Sequence, residues 1–233
     1  GVHIRGANGF DEYCLWQLTK TAGSGGRYAD PLIEHNGSFL KRDKDDYGPD
    51  IFSNFILDFI ERKKDTPFFI YYPMVLVHDP FVPTPKSKLW ENEAIRHKND
   101  TSYFKDMVSY TDKIVSKIYS KLKDLQIENN TIIIFTGDNG THPTIYSQTK
   151  ERTIRGGKGN TIDAGTHVPL IVFWPTKIKK GIIFNGLIEF SDFFPTFADI
   201  VNKEVESDGY SFLPLLTGKN YTERKTAFVH YDP

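Results

Sequence analysis

Thr131-Ile132-Ile133-Ile134-Phe135-Thr136-Gly137-Asp138-Asn139-Gly140 decides how this chain is read. Its apolar run, rich in β-branched residues, describes a strand covered on both faces, as in a parallel α/β sheet. Ligands bind such sheets beyond the carboxyl ends of the strands. There this strand delivers a carboxylate, Asp138, and an amide oxygen, Asn139, two donors that suit a hard cation. Asp-Asn-Gly is also ordinary turn chemistry. Residues 141–160 are polar and irregular and offer no returning alternating strand, which argues against a hairpin there and leaves a plain loop as the alternative.

The flanking pattern extends the α/β reading in both directions. Upstream, Phe104, Met107, Val108, Thr111, Ile114, Val115, Ile118, Leu122 and Leu125 make one face of a helix from about Thr101 to Leu125. Before it, Pro49 suits a first helical position. Ile51, Phe52, Phe55, Ile56, Phe59 and Ile60 then recur at helical spacing over 49–63, and residues 67–73 read as a short buried strand that exits through Val77-His78-Asp79-Pro80. Residues 1–47 read as irregular, with a β-ribbon near Pro31 and Gly37. Downstream, a polar loop over 140–165 leads to a strand at 168–174, then a further strand at 182–190. A helix over 192–201 follows, capped by Ser191 and with Pro195 in its first turn. Strand and helix alternate, which predicts an α/β fold, a mostly parallel sheet flanked by helices, with residues 1–233 forming one domain or part of one.

Bulk properties narrow the function. With 233 residues, 39 % hydrophobic and 25 % charged, the chain has the composition of a globular protein. Its 29 basic and 30 acidic residues give no reason to expect nucleic acid or an anionic membrane as partner. No apolar run approaches the ~20 residues that span a bilayer. The single cysteine, Cys14, excludes a disulfide framework within the chain and a Cys-based zinc site; among its apolar neighbours it reads as a buried structural thiol.

Three loops carry candidate chemistry. His78-Asp79 follows the strand at 67–73, where a surface or capping role is the plainer alternative. In Arg155-Gly156-Gly157-Lys158-Gly159-Asn160 the glycines let backbone and ammonium approach an anion. The nucleotide-binding spacing fails, since Arg152 stands where the first glycine belongs and Gly159 follows the lysine; a flexible basic turn is the alternative. In Asp163-Ala-Gly-Thr-His167-Val-Pro169, His167 is either cleft-facing or structural.

Taken in order, these segments resemble the sulfatase family of the alkaline-phosphatase-like superfamily. The similarity runs through His78-Asp79-Pro80, the long helix, Thr136-Gly137-Asp138-Asn139-Gly140, Gly156-Gly157-Lys158-Gly159 and Gly165-Thr-His167-Val-Pro-Leu-Ile-Val-Phe-Trp-Pro175. Gly9-Phe-Asp-Glu-Tyr13, Pro67-Phe-Phe-Ile-Tyr-Tyr72, Ser191-Asp-Phe-Phe-Pro-Thr196 and Asp208-Gly-Tyr-Ser-Phe212 support it. The resemblance implies that Asp138 and Asn139 are calcium ligands, that Lys158 contacts sulfate and nucleophile, and that His78 contacts the sulfate or leaving-group oxygen; His142 and His167 are further candidate substrate contacts. An all-oxygen ligand pair favours calcium over the zinc of related phosphohydrolases. The family's Cys/Ser-x-Pro/Ala-x-Arg nucleophile motif and its early Asp-Asp pair are not matched. The chain is therefore expected to be a segment of a catalytic domain that lacks its first strand, its nucleophile and its C-terminal subdomain, and to be inactive alone. The substrate expected of the complete protein is a sulfated small molecule or glycan, and the protein is expected to be exported. A phosphodiesterase or phosphonate hydrolase of the same superfamily, or a non-catalytic binder of sulfated glycans, are the alternatives.

Overall fold

The computed structural model describes residues 9–16 and 26–230; the expectation of irregular structure over 1–8 and 17–25 lies outside them. The chain divides into two compact units, residues 1–127 and 128–233.

In the first unit, β1 (Cys14–Trp16), β2 (Ile33–His35) and β3 (Ser38–Phe39) form an antiparallel sheet in that order. The expected ribbon is present and gains a strand on its β2 side. Asn36 and Gly37 turn it with positive φ angles of 48° and 89°, the geometry that favours Asn-Gly in two-residue hairpins. Cys14 lies half-buried, not fully buried, and burial pushes its thiol up to about 12, so it is inert.

Helices α1 (Gly48–Lys63) and α2 (Phe104–Asp124) confirm the helical periodicity. They bury Phe52, Ile56 and Ile60 from α1, and Met107, Tyr110, Ile114 and Leu122 from α2. Each fully buried apolar side chain of this size contributes roughly 1.5–3 kcal/mol. Polar contacts set the register: Tyr110 Oη donates to Asp50 Oδ2 at 2.6 Å, Lys117 Nζ to Asn54 Oδ1 at 2.6 Å, and Lys121 pairs with Glu61. Partners rise together along both helices, so α1 and α2 run parallel. The segment between them, residues 64–103, is the crossover.

That crossover corrects one expectation. Residues 67–73 are extended but pair with no strand among the described residues. They alternate instead of being buried throughout: Phe68, Ile70 and Tyr72 are half-buried, whereas Phe69 and Tyr71 are 58 % and 68 % exposed. The unbroken apolar run concealed a period of two.

In the second unit, β4 (Ile133–Thr136) pairs antiparallel with β7 (Leu170–Phe173), with Ile133 opposite Phe173 and Thr136 opposite Leu170. The α/β class holds, but the described ladders are antiparallel where parallel pairing was expected. The cause is local. The stretch between them folds back on the exit of β4, through a bond from Gly140 N to Gly165 O at 2.8 Å, so β7 re-enters from the end that β4 leaves. A parallel partner would need a crossover to the opposite end. Within this stretch β5 (Tyr146–Gln148) and β6 (Thr153–Arg155) form a hairpin where irregular loop was expected, and α3 (Asp163–Thr166) is a single turn.

Residues 182–190 form no strand; Leu187 makes one bridge to Arg224. A 3-10 turn over Phe190–Asp192 then leads into α4 (Phe193–Ile200), and α5 (Leu213–Leu216) follows. Glu189 and Asp192 cap the turn reciprocally, whereas Ser191 bonds to Glu189, so Ser191 is not the cap that the sequence suggested. Asp192 is fully buried. It accepts from Glu189 N, Tyr210 N and the Arg224 guanidinium. Burial alone would raise its carboxyl; Arg224 and the two backbone donors outweigh this and hold it below the usual carboxylate range. Phe212 N donates to Thr196 Oγ1 at 2.9 Å, which fastens the approach to α5 onto α4.

Candidate active site

In the second unit, the loop leaving β4 and the segment 156–165 are joined by backbone hydrogen bonds. Lys158 N donates to Thr141 O at 3.0 Å, Gly156 N to Ile145 O at 2.9 Å and Gly140 N to Gly165 O at 2.8 Å. The contacts leave no room for side chains. A Cβ on Gly140 would stand 2.0 Å from Ala164 O, one on Gly156 would stand 2.2 Å from His142 O, and one on Gly165 would stand 2.1 Å from Asn160 O. Gly157, buried, meets the Ala164–Gly165 peptide in the same way. These glycines are required for close approach of chain to chain.

The cluster brings together the backbone at Asp138, Asn139, His142, Lys158 and His167. Asp138 is exposed and Asn139 half-buried at the end of β4, and no side-chain hydrogen bond or ion pair engages either among the described residues. Lys158 is half-buried, next to buried Gly157. His142 is half-buried, with Nδ1 2.8 Å from Thr144 Oγ1. His167 closes α3, its N–H on Asp163 O; its Nδ1 lies 3.0 Å from Asp163 Oδ1, and its side chain is 78 % exposed.

The remaining predicted residue, His78, belongs to the first unit. Its loop is held by Tyr28, a residue the sequence did not single out: Tyr28 Oη donates to the carbonyls of Val75, at 2.7 Å, and His78. Tyr28 is 2 % exposed, and burial pushes its phenol above the ordinary range, so it stays a proton donor. His78 N closes the turn on Val75 O at 3.0 Å. Both Leu76–Val77 and Asp79–Pro80 are cis peptides. His78 Nδ1 lies 2.8 Å from Asp79 O and 2.9 Å from Asp79 Oδ1. Two acceptors there favour the tautomer that carries its proton on Nδ1. Phe81 N then bonds to Asn99 Oδ1 at 2.7 Å, which fixes the far side of the loop.

A metal was expected at Asp138 and Asn139. Among the described residues no group of three His, Cys, Asp or Glu side chains is placed to hold one. The pair fits a hard cation in donor chemistry, being two oxygens without other side-chain partners among the described residues, but supplies only part of the roughly 6–8 oxygens that calcium takes.

The chain matches the Sulfatase family model over residues 5–203. It is 30 % identical to an N-acetylgalactosamine-6-O-sulfatase of Bacteroides thetaiotaomicron over 78 % of this chain and 37 % of that protein. It is 31 % identical to the N-acetylgalactosamine-6-sulfatase of Sus scrofa over 72 % of this chain and 32 % of that one. Among solved structures it resembles Ps i-CgsB, known also in complex with k-i-k-neocarrahexaose, with a TM-score of 0.73 and 26 % identity over 91 % of this chain and 51 % of that chain. The chain thus spans about a third of the length of these curated relatives. Its α/β elements are those of the alkaline-phosphatase-like fold of its structural neighbours, and the chain belongs to the sulfatase family.

Proposed function

We propose that the complete protein hydrolyses a sulfate monoester carried by a sugar, and that residues 1–233 are a partial catalytic domain. Lys158, on a glycine-walled loop that keeps its backbone against the loop of Asp138 and Asn139, binds the sulfate oxygens, where an ammonium offsets the charge that grows as the S–O bond breaks. His78 assists the departing alcohol oxygen as a proton donor, its ring oriented by the contact of Nδ1 with Asp79. His142 and His167 make further substrate contacts from the loops that flank Lys158. Asp138 and Asn139 hold calcium, which when bound screens the sulfate's charge from an attacking nucleophile. The nucleophile and the other calcium ligands come from parts of the protein beyond these residues. Export is the setting that fits this family assignment.

The observation that supports this reading best is the backbone seam of Gly140 on Gly165 and Lys158 on Thr141, which unites a hard-oxygen pair and a lysine over a family match. The test is made on the full-length protein, with an aryl sulfate and an aryl phosphate diester as substrates. The sulfate should be strongly preferred, Lys158→Ala should lower kcat about 100-fold, and Asp138→Ala should abolish the rise in Tm that calcium gives the wild-type protein. Preference for the phosphate diester overturns the proposal, as does a calcium-induced rise in Tm that Asp138→Ala leaves intact.

A further inference from the structure

Between Asn139 and Lys158 the chain inserts the β5–β6 hairpin, which no step above uses. Its register sets Tyr146 opposite Arg155 and Gln148 opposite Thr153. These four side chains therefore share one face. The hairpin is fixed at both ends. Thr153 Oγ1 donates to Gln148 Oε1 at 2.6 Å, and at the tip Thr149 N bonds to Arg152 O at 2.9 Å. At the base, buried Ile145 donates its N–H to His142 O and accepts from Gly156 N. The next residue, Tyr146, is 64 % exposed, with no hydrogen bond or ring contact among the described residues. Across the ladder, Arg155 is tethered by Nε to Pro143 O at 2.9 Å, while its two Nη groups have no partner among the described residues. An exposed aromatic residue and a guanidinium fork tethered at Nε thus occupy opposed positions of the ladder, Arg155 three residues before Lys158. The ring has the flat apolar face that stacks on a pyranose. The fork has the geometry that takes an oxyanion through two hydrogen bonds.

We propose that Tyr146 and Arg155 form a specificity subsite for the sugar next to the one that carries the scissile sulfate, with Tyr146 stacked on that sugar's ring and Arg155 paired with its sulfate or carboxylate group. The substrate class is accordingly an anionic oligosaccharide and not an isolated small sulfate ester. This rests on the sulfate-ester reading above. The experiment compares full-length wild type, Tyr146→Ala and Arg155→Gln on an aryl sulfate, a sulfated galactan oligosaccharide and a sulfated oligosaccharide containing uronate. Each variant should lower the ratio of kcat/KM on an oligosaccharide to that on the aryl sulfate by about tenfold, chiefly through KM. The oligosaccharide on which Arg155→Gln acts more strongly identifies the oxyanion. An unchanged ratio for both variants on both oligosaccharides overturns the subsite while leaving sulfate hydrolysis intact. If the wild type cleaves no sulfate ester, the functional reading falls separately. Calorimetric binding of the two oligosaccharides then decides the subsite: affinity lost in the variants supports it, and equal affinity overturns it.

Discussion

The loop carrying His78 and the loops carrying Asp138 and Lys158 are held in opposite ways. The His78 loop hangs on a side chain, the Tyr28 hydroxyl, which reaches two of its carbonyls from a buried ring. The loops around Lys158 hang on the lack of side chains, since Gly140, Gly156, Gly157 and Gly165 let peptide meet peptide. A hydroxyl clasp fails when an atom is removed; a glycine seam fails when one is added. The two kinds of loop should therefore differ in which substitutions they survive.

Gly156→Ala should show the largest effect. Gly156 does not occupy the left-handed region, so the added methyl meets no torsional penalty; it meets the carbonyl oxygens of His142 and Thr141 at 2.2 and 2.4 Å. Neither oxygen is the end of a flexible chain. The seam must open, at a stability loss of about 3 kcal/mol. Displacing Lys158 by even an ångström should lower kcat about 100-fold. Thermal unfolding and aryl-sulfate turnover of the full-length variant measure both, and near-wild-type values would mean that the seam is loose.

Tyr28→Phe should come next. The ring still packs, but the carbonyls of Val75 and His78 lose their donor, a loss of about 1–2 kcal/mol. Because Tyr28 bonds to the backbone carbonyl of His78, the variant tests whether the loop needs that hydroxyl to hold the imidazole in place. A fall in kcat of about tenfold with KM little changed is expected. A change in Tm with no change in kcat would show that the clasp serves folding alone.

What could be read from the sequence follows this same division. Helices α1 and α2 were legible because each carries an apolar stripe along a single stretch of chain. Asp138, Lys158 and His78 were legible as candidates because glycine, proline and a strand end mark their loops. Tyr28 was not, since a tyrosine that serves two carbonyls nearly fifty residues away leaves no periodic trace. The antiparallel entry of β7 was hidden for a related reason: the bond from Gly140 to Gly165 that turns the chain back joins two backbone groups, which every sequence has. The β5–β6 hairpin was missed because its strands are three residues each and almost wholly exposed, with only Ile154 half-buried, too little for the apolar alternation that announces a half-buried strand.

Gly181→Ala should have the smallest effect, and it separates the two demands that glycine meets. Gly181 sits in the turn after β7 with φ at 76°, and nothing lies within 4 Å of the position its Cβ would take. Alanine there suffers torsional strain of about 1 kcal/mol and no collision. Its turn lies outside the Asp138–Lys158 seam, so Tm should drop slightly while aryl-sulfate kcat stays within about twofold of wild type. Set beside Gly156→Ala, this variant distinguishes a glycine chosen for its φ from one chosen for its missing side chain. Equal losses of activity in the two would mean that backbone torsion, and not the approach of chain to chain, is what holds Lys158 in register with Asp138.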